Sequence, residues 1–200
     1  MTILTITGFA GSLSTPSKTR DLVQQAVDLA ARRFGALGHV FDLNDLGPSL
    51  GQARHLGDLE PEALEHVTAL IHADALVVAS PVHKGSYGGL FKHLFDLIDP
   101  GLLTGKPVLL AATGGGDRHA LVIEHQLRPL FGFFEAQTLA TGLYASDRDF
   151  TDSRLTDDTA RARLVRAVGQ FAPHLTPKLT QDTPIAARRL ASAAPALAAL

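Results

Sequence analysis

Three stretches of this 200-residue chain concentrate glycine, hydroxyl and cationic side chains. The first is Gly8-Phe9-Ala10-Gly11-Ser12-Leu13-Ser14-Thr15-Pro16-Ser17-Lys18-Thr19-Arg20. A phosphate needs donors with little steric cover. Glycines open the backbone, hydroxyls donate, and a helix N-terminus adds free N–H groups and positive potential. Ser12, Ser14, Ser17, Lys18 and Thr19 have that chemistry, with Ser17 as the N-cap and Lys18 and Thr19 in the first helical turn. The plain alternative is a βα turn with a capped helix and surface cations. The second stretch is Ser80-Pro81-Val82-His83-Lys84-Gly85-Ser86-Tyr87-Gly88-Gly89-Leu90-Phe91-Lys92. There Pro81 stiffens the exit of a strand, and the backbone from Val82 through His83, Lys84 and Gly85 to Ser86 can face a planar ring. His83 and Tyr87 can stack on such a ring, and Ser86 can cap the next helix. The third is Thr113-Gly114-Gly115-Gly116, where small side chains let a flat ligand approach the backbone. By itself it is also an ordinary glycine-rich turn.

These stretches fall between alternating strand and helix patterns. The sequence predicts strands over 3–7, 40–43, 75–79, 107–112 and 137–144, and helices over 17–34, 61–72, 86–98, 117–134 and 156–171. Ala75-Leu76-Val77-Val78-Ala79 is continuously apolar, as expected of a strand covered on both faces. Such alternation implies βαβ units, right-handed crossovers and an α/β fold with helices on both faces of a five-stranded parallel sheet. The flavodoxin-like strand order 2-1-3-4-5 fits. Ligands of such sheets sit outside the carboxyl ends of the strands, near the point where strand order reverses. That rule brings all three stretches together. The helix over 117–134 holds an interior Pro129, and its apolar residues Leu121, Val122, Leu127, Leu130, Phe131, Phe133 and Phe134 exceed one stripe. It is expected to pack on its own sheet and on a second subunit, with a local π-bulge near His125.

Composition narrows the function. The chain is 46% hydrophobic and 19% charged with a net charge of -2, which is globular and lacks the basic excess of a nucleic-acid binder. Cysteine is absent, so thiolate and cysteine–zinc chemistry are excluded. The histidines show no H-E-x-x-H spacing, and no metal site is expected. No G-x-S-x-G elbow occurs, and Asp45, Asp96 and Asp147 are scattered, so no catalytic side chain is nominated. Gly101-Leu102-Leu103-Thr104-Gly105-Lys106 is one residue short of a P-loop, and His119 stands where a dinucleotide fingerprint needs its last glycine. No apolar run approaches the ~20 residues that span a bilayer, and Met1-Thr2-Ile3-Leu4-Thr5-Ile6 lacks the basic start of a leader, so a cytoplasmic, membrane-free protein is expected. One domain is expected over 1–175, followed by an alanine-rich tail, 176–200, that is disordered or a short helix.

Taken together, the three stretches resemble the NADPH-dependent FMN reductases of the flavodoxin-like fold. The resemblance is nearest to the small reductases of two-component alkanesulfonate and methanesulfonate monooxygenases. It is carried by Gly11-Ser12 with Ser17-Lys18-Thr19, by Ser80 to Lys92, by Leu103-Thr104-Gly105-Lys106-Pro107 and Ala112-Thr113-Gly114-Gly115, and by His119-Ala120-Leu121 through His125 to Leu127-Arg128-Pro129. It implies FMN, with its phosphate at Ser12, Ser14, Ser17, Lys18 and Thr19. It implies ring contacts from Pro81, Val82, His83, Lys84, Gly85 and Ser86 and from Thr113, Gly114 and Gly115. It further implies NADPH or NADH as hydride donor, a homo-oligomer (dimer or tetramer) built through the helix containing His125, and a partner flavin-dependent monooxygenase. Many relatives carry arginine where Ser14 stands, which shifts weight to Lys18 for the phosphate, and tyrosine where His83 stands, which bears on aromatic stacking at that position. Arg20, Arg54 and Arg118 are all candidates for a nicotinamide 2′-phosphate. A quinone or azo reductase with retained FMN, a flavodoxin-like electron carrier and a scaffold without cofactor are the other readings.

Overall fold

The computed structural model describes residues 3–175; the expected tail, 176–200, lies outside them. Strands β1 (Thr5–Ala10), β2 (Leu37–Asp42), β3 (Ala75–Pro81), β4 (Pro107–Gly114), β5 (Gln137–Thr138) and β6 (Leu143–Ser146) form one sheet of order β2-β1-β3-β4-β5, with β6 also on β4. Every pairing in it is parallel. The expected flavodoxin-like order is therefore the observed one. Side chains alternate between two cores, as the period of a strand demands. Leu76 and Val78 of β3 enter one core with Phe9, Phe41, Phe91, Phe95 and Phe131. Val77 and Ala79 enter the other with Ile6, Leu22, Val27, Leu164 and Phe171. Helices α1 (Lys18–Phe34) and α5 (Asp158–Gly169) cover the second core, and α2 (Pro61–His72), α3 (Gly89–Asp96) and α4 (Arg128–Phe133) cover the first.

The strands reach further toward the rim than their sequence pattern predicts. Gly8, Phe9 and Ala10 are strand, as are Thr113 and Gly114. Gly8 is strand because α1 lies directly on it: a Cβ there would sit 2.4 Å from Val23 Cγ1 and 2.7 Å from Val27 Cγ2. That close approach carries the start of α1 to the end of β1.

Two expected elements are divided. The region 117–134 is a short 3-10 turn at Asp117–His119, a π-helical segment at Ile123–Leu127, and then α4. The π segment contains His125, where a local insertion was expected. Pro129 is the second residue of α4, inside a helical run that continues without a break from the π segment, where the regular i→i−4 ladder is already interrupted. The strand expected over 137–144 becomes β5 and β6, because side chains replace the ladder between them. Arg128 Nη1 donates to Leu139 O (3.1 Å), Arg163 Nε to Gly142 O (2.7 Å), and Gln170 Oε1 accepts from Thr141 N (3.0 Å). After β6 the chain adds a hairpin that periodicity did not indicate, β7 (Phe150–Thr151) and β8 (Arg154–Leu155), turning through Asp152 and Ser153 at positive φ.

The edge strand β2 is joined to α2 by an imidazole pair. His39 Nε2 and His66 Nδ1 lie 3.0 Å apart with their rings stacked, and Phe41 stacks on both. One ring must donate and the other accept, so the bond needs at least one neutral histidine. Burial holds His39 below its ordinary value, and His66 and Arg20 add to this against Asp45. A depressed pKa means that stability is fully present above the unfolded value of about 6.5 and is lost as pH falls through the lower folded value. Urea unfolding should therefore show stability declining from about pH 7 to 5, with a shallower decline in His39→Gln. Parallel profiles for the two proteins would contradict this.

Candidate functional site

The rim is assembled by backbone bonds that cross between strand ends. Gly11 N donates to Ala79 O (2.8 Å), and Val82 N donates to Thr113 O (2.8 Å). Thr19 Oγ1 and Thr113 Oγ1, both buried, share a hydrogen bond of 2.7 Å that fixes the first turn of α1 to the end of β4. Ser17 caps α1 as expected: its Oγ accepts from Arg20 N (3.1 Å), and its carbonyl accepts from Asp21 N (3.0 Å). The first turn of a helix has no intrahelical acceptors for its amides. Those of Lys18 and Thr19 find no acceptor among the described residues.

These amides border a cleft of about 280 Å³. Ser12, Ser14, Ser17, Lys18 and Thr19 line it from the first stretch, Pro81 and Val82 from the second, and Thr113, Gly114 and Gly115 from the third. Ser12 is buried, and its Oγ accepts from Ser14 N (3.2 Å). The rest of the second stretch lies apart from the cleft. His83, Lys84, Gly85 and Ser86 form a tight two-residue turn: His83 N donates to Ser86 O (2.8 Å) and Ser86 N to His83 O (3.1 Å). Lys84 (φ 51°) and Gly85 (φ 88°) both take the left-handed conformations of such a turn. The amides of His83, Ser86 and Val82 are thus committed, while Lys84 and Gly85 donate to no acceptor among the described residues.

Three sequence expectations change here. Ser86 does not cap α3, which starts at Gly89 without a side-chain cap; its Oγ donates to Gln126 Oε1 of the π segment (3.0 Å). Tyr87 packs against Phe91, with ring centroids 5.4 Å apart. Arg20 is not free for a 2′-phosphate, since its Nη1 lies 2.7 Å from Asp42 Oδ2 and 2.5 Å from Asp45 Oδ2. Burial opposes its charge, but those two carboxylates raise its pKa overall. Arg54 and Arg118 remain exposed.

The sequence reading missed Asp147 and Ser153, which also line the cleft. Lys18 Nζ pairs with Asp147 Oδ1 at 2.9 Å and lies 5.9 Å from the Phe150 ring centroid. The available signal was position: Asp147 follows β6, the neighbour of β4, at the same carboxyl rim. The third loop is braced from behind. Tyr144 Oη donates to Gly116 O (2.6 Å), and Arg148 Nη2 reaches both oxygens of Asp117 (2.9 and 2.8 Å). Burial pushes the Tyr144 phenol up, so it stays a neutral donor to Gly116 O.

Free amides, small hydroxyls and one ammonium suit a phosphate monoester. The low walls at Pro81–Val82 and Thr113–Gly115 suit a flat ring above it. The family model for NADPH-dependent FMN reductase matches residues 4–151. The chain belongs to that family. An NADH-dependent FMN reductase, SfnF, of Pseudomonas fluorescens is 44% identical over 180 residues, covering 88% of this chain and 96% of that protein. An FMN reductase (NADPH) of Pseudomonas aeruginosa is 44% identical, covering 84% of this chain and 90% of that protein. Among solved structures, the apo form of the NADH:FMN oxidoreductase EmoB superposes with a TM-score of 0.78 at 29% identity, covering 88% of this chain and 92% of that one. The family match spans all three rim stretches, Asp147 and the first strand of the late hairpin.

Within this FMN-reductase rim, Gly114 is required by its brace. A Cβ there would meet Tyr144 Oη at 2.5 Å. Gly114→Ala should cost about 1–3 kcal/mol in urea unfolding, and clearly less in a Tyr144→Phe background, where the obstructing oxygen is gone. Strictly additive costs would show that the clash is relieved elsewhere.

Proposed function

We propose that the protein is an NAD(P)H-dependent FMN reductase that binds FMN in this cleft and supplies reduced FMN to a flavin-dependent monooxygenase. The observation that carries the reading is the pair of free amides at Lys18 and Thr19, set among hydroxyls and facing two low-walled loops, in a chain of this family. When bound, FMN supplies the chemistry, accepting a hydride from the nicotinamide and giving up electrons in turn. Lys18, the Thr19 amide and the hydroxyls of Ser12, Ser14 and Ser17 hold the phosphate. Pro81, Val82, Thr113, Gly114 and Gly115 would border the ring. The free amides of Lys84 and Gly85, in the turn closed by His83 and Ser86, offer hydrogen bonds to negative charge on the ring edge. No side chain serves as acid or base.

Relatives named for NADH and for NADPH stand at equal identity, so both donors belong in the proposal. With Arg20 committed, Arg54 and Arg118 are the cations left for a 2′-phosphate. Leu121 and Phe133, 63% and 70% exposed, flank the π segment on an apolar face that water does not favour. This face supports a homo-oligomer, dimer or tetramer. The cytoplasm, where nicotinamide is reduced, is the fitting compartment, and no helix among the described residues is long and apolar enough to cross a membrane.

The deciding assay is oxidation of NADPH and of NADH with and without added FMN. Turnover should require added FMN and follow sequential kinetics. Ping-pong transfer from a retained flavin to a quinone would favour the quinone or azo reductase reading, and no flavin uptake would defeat both. Lys18→Ala should weaken FMN about five- to ten-fold while leaving riboflavin, which lacks the phosphate, unchanged. Phe133→Asp should lower the mass in sedimentation; an unaltered assembly would remove this face from the interface.

A further inference from the structure

The cleft carries its own competitor for the phosphate. Its charged lining consists of Lys18 and Asp147, already paired at 2.9 Å, so the cleft is formally neutral before any ligand enters. The neighbours of Asp147 do not relieve its charge. Arg148 is turned onto Asp117 through a two-pronged contact. Asp149 accepts from Ser146 N (2.7 Å) and Ser146 Oγ (3.0 Å) and lies 3.9 Å from Arg148 Nε, so it neither adds to nor relieves the charge of Asp147.

We propose that Asp147 is an affinity-setting residue, a built-in anion that shares Lys18 with the FMN phosphate and keeps FMN exchangeable. The inference rests on the FMN reading above and deepens it. A dianionic phosphate monoester seated at the first turn of α1 must either draw Lys18 off Asp147 or share it, and it meets the carboxylate's repulsion in both cases. Binding then relies on neutral donors, the amides and hydroxyls, which let the ligand go more readily than a site of net positive charge. This matches the needs of a reductase that hands its flavin to another protein. Asp147 is 62% exposed, so water and salt screen it and the effect is several-fold.

The test is titration of the purified full-length protein with FMN and, separately, with riboflavin, read by flavin fluorescence. Asp147→Asn should lower the FMN Kd about three- to ten-fold at low salt, with a matching fall in the FMN off-rate. Riboflavin affinity should not change, and the FMN gain should shrink at about 0.5 M salt. Asp147→Ser, compared at equal thermal stability, should shift FMN in the same direction and guards against a folding defect in one variant. FMN affinity that is unchanged or weaker in both variants overturns the proposal. Equal tightening of FMN and riboflavin overturns it too, since the effect would not act through the phosphate. Wild-type protein that takes up neither flavin overturns the FMN reading itself, and this inference with it.

Discussion

The site depends on the parallel, in-register pairing of three strands that are buried on both faces. Ala10 of β1 stands beside Ala79 of β3, Ala79 beside Ala111 of β4, and Pro81 beside Thr113. Parallel strands end on the same side, so three chain segments far apart in sequence must leave the sheet at one rim. Full burial also removes freedom of register, because a slip of one residue would move Leu76 and Val78 into the wrong core. The positions of the amides, hydroxyls and glycines at the rim follow from this packing.

Local chemistry then determines which rim groups stay available. Ser17 satisfies one first-turn amide of α1 and leaves two open. The turn at 83–86 uses the amides of its outer residues and leaves those of Lys84 and Gly85 open. Thr19 and Thr113 bond to each other and so serve as a clasp between α1 and β4. Ser86 ties the turn at 83–86 to Gln126 of the π segment, and Arg128 holds Glu124 of that segment through a two-pronged contact and β5 through Thr138 Oγ1 (2.8 Å). Side-chain contacts thus tie the turn at 83–86 to the π segment, and that segment to α4 and β5.

Much of this was legible in the residues alone. The unbroken apolar run at β3 signals a strand covered on both faces, and glycine and hydroxyl clusters after β1, β3 and β4 mark the rim. Ser17-Lys18-Thr19 reads as a capped helix start because capping is local. What was not legible depends on tertiary contacts. Gly8 looks like a turn residue until the valines of α1 are laid on it. Residues 137–144 look like one strand until Arg128, Arg163 and Gln170 take over the backbone bonds at its middle. Arg20 looks like a free cation until β2 brings Asp42 and Asp45 to it. Asp147 looks isolated because its partner, Lys18, is 129 positions away.

The central claim is that FMN lies along this rim with its phosphate at the start of α1. A crystal structure of the protein with FMN tests it most directly. The account predicts phosphate oxygens within hydrogen-bonding distance of the Lys18 and Thr19 amides, and the flavin ring bordered by Pro81–Val82 and Thr113–Gly115. FMN bound elsewhere, or bound with its ring at the start of α1 and its phosphate away from it, would contradict the account.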